Sequence, residues 1–173
     1  ALVIRRQLAK TNSDSYNASL ADVLNNLGIV HRNLKRLEEA ESEHLEALRL
    51  RQKLAETNPG KYNEDVALSL KNLGDLHCYL SRYDDAEMEY SQCLSLRREL
   101  AENNQDKYLP QVASVLFDLA YMHNGQKKFL EAESEYQEAL VIRRQLAKTN
   151  SDSYNDSLAA VLNNLGNVHR NLK

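Results

Sequence analysis

Four histidines, His31, His77, His123 and His169, recur at a constant step of 46 residues, and Cys78 directly follows the second. Imidazole and thiolate are common ligands of zinc and other transition metals, so such a column raises the question of a metal centre. The spacing argues against one. Each histidine falls on a separate helix, adjacent residues such as His77 and Cys78 point in different directions, and no His, Cys or carboxylate stands four residues from any of them. The four are read as packing histidines, and His44 with them. The acidic strings LEEAESEHLEA (37–47) and DDAEMEY (84–90) hold enough carboxylates for acid–base chemistry. They are expected on the solvated face of a helix. No nucleophile elbow, phosphate loop or HExxH accompanies them, so no enzyme activity, metal or cofactor is expected.

The elements that must carry these residues follow from the same step of 46. Residues 1–35 and 139–173 differ at only three positions (Ala18/Asp156, Asp22/Ala160, Ile29/Asn167). Leu27, Leu73, Leu119 and Leu165 keep the period, as do Tyr16, Tyr62, Tyr108 and Tyr154 and the arginines Arg5, Arg51, Arg97 and Arg143. A period of this length marks a stack of similar supersecondary units. With no Trp, two Phe, two Pro, five Gly and 27% charged residues, the composition suits exposed helices around a thin aliphatic core. A net charge of −3 and a pI near 6.0 offer no basic footprint for nucleic acid or anionic lipid. No apolar run reaches the length of a membrane span. Two cysteines outside any recurring framework fit a reducing, cytoplasmic setting.

Each unit reads as two helices, A and B. Apolar periodicity places helices A at about 17–34, 63–80, 109–125 and 155–172, and helices B at about 37–57, 83–103 and 129–149. Residues 1–16 are read as the tail of an earlier helix B and its loop, followed by repeats 17–62, 63–108 and 109–154 and a final helix A in 155–173. Asn17, Asn63 and Asn155 are expected as N-caps, Pro59-Gly60 as a turn, and Pro110 near a helix start. Gly28 and Gly74, costly inside a helix, are expected to let the hairpin close against Ala40 and Ala86, with Ala120 and Ala132 repeating the pair.

Leu24, Leu27-Gly28 and His31, then Ala40, His44 and Ala47, stand where the tetratricopeptide repeat has its Trp, Leu-Gly and Tyr, then Ala, Phe and Ala. The chain therefore resembles that family. Its long unit and LNNLG helix are similar to the kinesin-light-chain type, the extra length being expected from an extended helix B and a longer loop. The resemblance implies an all-α, right-handed α–α superhelix (solenoid) of helix-turn-helix units whose helices A line a concave surface. Residues there that do not pack are expected to bind an extended segment of a partner protein. They are Asn25, Asn26, Ile29, Arg32 and Asn33; Lys71, Asn72, Asp75, Cys78 and Tyr79; Phe117, Asp118, Tyr121 and Asn124; and Asn163, Asn164, Asn167, Arg170 and Asn171.

Side-chain amides carry both donor and acceptor and match an extended backbone, although Asn26, Asn72 and Asn164 can equally bond their own neighbours. Phe117 and Tyr121, one turn apart, suggest an aromatic shelf. The family's carboxylate clamp is not matched, because Asn25, Ile29 and Gly125 replace its key residues. The alternative is an array that stacks end to end, because neither terminus carries a polar capping element. In that case Leu158, Val161, Leu162, Leu165 and Val168 are expected to lie uncovered.

Overall fold

A computed structural model describes residues 4, 14–149 and 151–173, with the side chains of 151–153 excepted. The expected tail of an earlier helix B lies outside the described residues. Among the described residues seven helices follow one another: α1 (Asp14–Asn33), α2 (Leu37–Thr57), α3 (Pro59–Tyr79), α4 (Tyr83–Asn103), α5 (Gln105–Gly125), α6 (Phe129–Thr149) and α7 (Ser151–Asn171). Helices A are α1, α3, α5 and α7, and helices B are α2, α4 and α6. The fold is all-α, a succession of helix hairpins, with no strand among the described residues. The chain forms two compact units, Ala1–Leu96 and Arg97–Lys173, with α4 contributing to both. In the first, α2 packs against α1 and α3; in the second, α6 packs against α5 and α7.

Helices B fall where the periodicity put them. Helices A begin earlier, which overturns the expected caps. Asn58 is the N-cap of α3, its side chain accepting from the Lys61 amide at 3.2 Å, and Pro59 occupies the first helical turn. Proline is preset for that place and its missing N–H costs nothing there, so Pro59-Gly60 opens the helix instead of forming a turn. Asn104 caps α5 in the same way, bonding the Lys107 amide at 3.1 Å. Asn17, Asn63 and Asn155 lie inside helices, as does Pro110, whose missing N–H removes the i→i−4 bond to the Asp106 carbonyl. Nor is the long unit explained by a loop. Helices A and B of 21 residues each, a three-residue turn and the single residue Asn58 or Asn104 fill the 46-residue step.

Each A-to-B turn places a non-glycine residue in the left-handed region: Lys35 (φ 62°), Ser81 (φ 59°) and Lys127 (φ 63°). Around Ser81 the amide of Arg82 reaches the His77 carbonyl at 2.8 Å and that of Ser81 the Cys78 carbonyl at 3.1 Å. This is the Schellman pattern, which satisfies carbonyls that the helix end leaves open.

The close approach at glycine is real but its partner is different. A Cβ on Gly28 would stand 2.8 Å from the His44 ring, and one on Gly74 2.7 Å from the Tyr90 ring. The absent side chain seats an aromatic from helix B, four residues beyond the alanine expected. Ala40, Ala86 and Ala132 are fully buried beside it. Gly166 has nothing within 4 Å. The α7 face is also covered more than expected: Val161, Leu165 and Val168 are buried and Leu158 partly so, leaving only Leu162 exposed among the five. In the C-terminal unit the helix that covers α7 is α6.

Candidate functional site

In the N-terminal unit, the expected binding residues fall into three groups. Asn25 is buried and accepts a hydrogen bond from Asn72 Nδ2 at 2.7 Å, so it serves as a strut between α1 and α3, a correction to its place on an open surface. Lys71 Nζ lies 2.6 Å from Asp75 Oδ1, which also accepts from the Tyr90 hydroxyl at 2.7 Å. Asn26, Asn33 and Tyr79 are exposed, with Lys35 Nζ donating to the Tyr79 hydroxyl at 2.8 Å; Ile29, Arg32 and Cys78 are half-buried.

In the C-terminal unit, Phe117 is half-buried, edge-on to Tyr136 with centroids 5.6 Å apart, and the Arg143 guanidinium lies 4.9 Å from its ring. Tyr121 is exposed, so only one member of the expected aromatic shelf is open to solvent. Asp118, Asn124, Asn164 and Asn167 are half-buried, and Asn163, Arg170 and Asn171 are exposed, with Arg170 bonded to Asn167.

The histidine column does more than pack. His31 Nδ1 meets Glu43 at 2.9 Å, His77 Nδ1 meets Glu89 at 2.7 Å, and His123 Nδ1 meets Glu135 at 2.9 Å. The partner glutamate always stands twelve residues on, on the following helix B. His77 Nε2 also faces Glu41 at 3.2 Å, and His169 Nε2 faces Glu133 at 2.8 Å, each on the preceding helix B. The acidic strings are therefore only partly a solvated face; Glu89 is buried.

With carboxylates at both ring nitrogens, His77 satisfies both contacts only as the imidazolium. The bond to Glu89 raises its pKa above the ordinary histidine value, with burial opposing. Burial pushes Glu41 up, yet hydrogen bonds from Arg82 and His77 carry it below the usual carboxylate value. His44 is the opposite case. It is fully buried with neither ring nitrogen hydrogen-bonded, and burial, aided by Arg32 and Arg51, lowers its pKa to about 4. It packs as a neutral ring, as expected. Among the described residues no group of three or more His, Cys, Asp or Glu is placed to hold a metal ion, and no helix is long and apolar enough to cross a membrane.

A second column went unrecognised as structural. Arg51, Arg97 and Arg143 each donate through Nη1 to a carbonyl fourteen residues on, that of Asp65, Gln111 and Ser157. Each ties a helix B to the next helix A. A charged residue recurring inside an apolar stripe of helix B was the available signal.

Models of the tetratricopeptide repeat match residues 19–99 and 112–152. The chain belongs to the tetratricopeptide-repeat family. None of the curated proteins compared matches it significantly. Among solved structures it is similar to BtubC (BKLC) from P. vanneervenii, with a TM-score of 0.73 and 23% identity over 92% of this chain. At that identity the likeness concerns the fold. The chain spans 58% of that structure's length. Repeats of this family are in general protein–protein interaction modules, typically scaffolds without enzymatic activity.

Proposed function

We propose that this chain is a non-enzymatic scaffold that holds an extended segment of a partner protein against its helices A. The observation that carries the reading is the α1–α3 surface. There the Asn25–Asn72 bond and the Lys71–Asp75–Tyr90 cluster hold polar side chains in place beside exposed Asn26 and Tyr79. Such a surface offers fixed donors and acceptors to a peptide backbone at little ordering cost. Selection of random peptides on the immobilised chain tests it. Selected peptides should lose binding when Asn26, Asn72 and Tyr79 are changed together to Ala, and keep it when exposed Glu38 and Arg49 on α2 are changed. Glu41 and Glu43 are unsuitable controls, because both hold histidines. Equal loss from both sets would refute the reading.

A second reading, stacking of chains through α7, is favoured by Leu162, which is exposed on that helix. Sedimentation across a concentration series tests it: self-association weakened by Leu162→Lys supports stacking, and a monomer throughout refutes it.

A further inference from the structure

Arg51 and Arg143 occupy the same place two repeats apart, yet their surroundings differ. Arg51 is buried and satisfied: Nη1 donates to the Asp65 carbonyl at 3.1 Å and Ser69 Oγ at 2.8 Å, and Nη2 to the Asp22 carboxylate at 2.8 Å. Around Arg143 the register replaces Asp22 by Ser114 and Ser69 by Val161. Among the described residues the backbone bond to the Ser157 carbonyl remains, while the Phe117 ring takes the place of Asn25. Among the described residues no carboxylate lies within ion-pair distance of Arg143. Burial lowers its pKa from the ordinary arginine value, and Asp118 opposes this only as a more distant charge.

A cavity of about 270 Å³ opens beside this guanidinium, lined by Pro110, Ser114, Leu146, Tyr154 and Ser157. The Ser157 hydroxyl is committed to the Tyr154 carbonyl at 2.9 Å. Ser114 and Arg143, both potential donors, line the space as well. A half-buried cation with no ion-pair partner among the described residues favours an anion that can reach it. The volume is slightly below the usual range of small-molecule pockets, roughly 300–1,000 Å³, and suits a single side chain.

We propose that this cavity is a carboxylate pocket, which takes one Asp or Glu side chain of a bound polypeptide and supplies to Arg143 the acid that Asp22 supplies to Arg51. The inference adds a partner chemistry to the scaffold reading, and the two fail separately. Small probes test the pocket without a partner, whereas peptide selection on α1 and α3 tests the scaffold without the pocket.

The test follows the side-chain Nε–H resonance of Arg143 in the nitrogen-labelled chain, assigned by its loss in Arg143→Lys. Acetyl-Gly-Glu-Gly-amide, its Gln counterpart, sodium glutarate and inorganic phosphate are titrated at constant ionic strength. The Glu peptide and glutarate should shift the resonance saturably, with Kd on the order of 1 mM, and the Gln peptide should not. If glutarate alone shifts it, the pocket serves free carboxylates and the polypeptide assignment is wrong. Ser114→Asp should weaken the response at least about tenfold and raise Tm by roughly 2–4 °C, because it restores the pair internally. Ser114→Leu, the residue that repeat two carries at this place as Leu68, should weaken it by plugging the cavity and guards against misfolding of the acidic variant. No shift at all, an equal shift with the Gln peptide, tighter binding of phosphate, or an undiminished response in both Ser114 variants would overturn the proposal.

Discussion

Replacing Gly74 and Gly166 by alanine should change stability in opposite directions, although both glycines sit at the same place in their repeats. Helix propensity alone favours alanine at either site by about 1 kcal/mol. At Gly166 nothing opposes it, because among the described residues no packing neighbour lies within 4 Å of the new methyl. Gly166→Ala should therefore stabilise by roughly 0.5–1 kcal/mol. At Gly74 the methyl would stand 2.7 Å and 2.8 Å from two Tyr90 ring carbons. That is about 1 Å inside the comfortable carbon–carbon separation of roughly 3.5–4.0 Å. The ring cannot simply swing away: Tyr90 is 3% exposed and its hydroxyl is bonded to Asp75 at 2.7 Å. Overpacking of this kind costs typically about 1–3 kcal/mol, which exceeds the propensity gain. The expected net loss is roughly 1 kcal/mol, or a fall in Tm of about 2–4 °C. Urea melts followed by far-ultraviolet dichroism measure both variants, and Gly74→Ala combined with Tyr90→Leu should recover part of the loss through coupling. A Gly74→Ala variant at least as stable as the parent would refute the ring-seat argument.

Further outcomes follow from the same geometry. His44 has a folded pKa of about 4 against an ordinary 6.5, so unfolding takes up a proton and stability falls between those pH values. The loss should approach about 3 kcal/mol at the acid end, and melts of His44→Tyr should lose this acid sensitivity. His77 carries the opposite sign. Its raised pKa gives stability that is complete below about pH 6.5 and fades as pH rises through the folded value, so His77→Phe should flatten the alkaline limb of a Tm-against-pH curve. Ser81→Gly should stabilise by up to about 1 kcal/mol in a thermal melt, since it relieves a left-handed non-glycine residue. Asn58→Ala should cost about 1 kcal/mol while Asn63→Ala costs much less, measured in the same way; equal effects would return the cap to Asn63.

The features legible in the sequence are those carried by local pattern and by period. The bounds of α2, α4 and α6 could be read because an apolar stripe at helical spacing recurs in register in every unit. The start of α3 was misplaced because Asn-Pro-Gly reads locally as a turn, and those of α1, α5 and α7 because Asn17, Pro110 and Asn155 read locally as helix starts. The role of Asn-Pro-Gly as cap and first helical turn depends on two helices being joined through one residue. Of the binding surface, residue types and the helix that bears them were legible, but their state was not. Asn25 is withdrawn by a bond to Asn72, forty-seven residues away, and nothing in either local context shows it.

The glutamates that hold His31, His77 and His123 lie twelve residues on, and the rings over Gly28 and Gly74 sixteen residues on. Their common period was visible, but the choice of Tyr90 over Ala86 as the partner of Gly74 was not. That choice depends on how two helices are rotated and shifted against each other, which the Schellman turn and the packing of neighbouring helices set. A one-dimensional period constrains which residues are equivalent. Only the three-dimensional register between helices decides which of them touch.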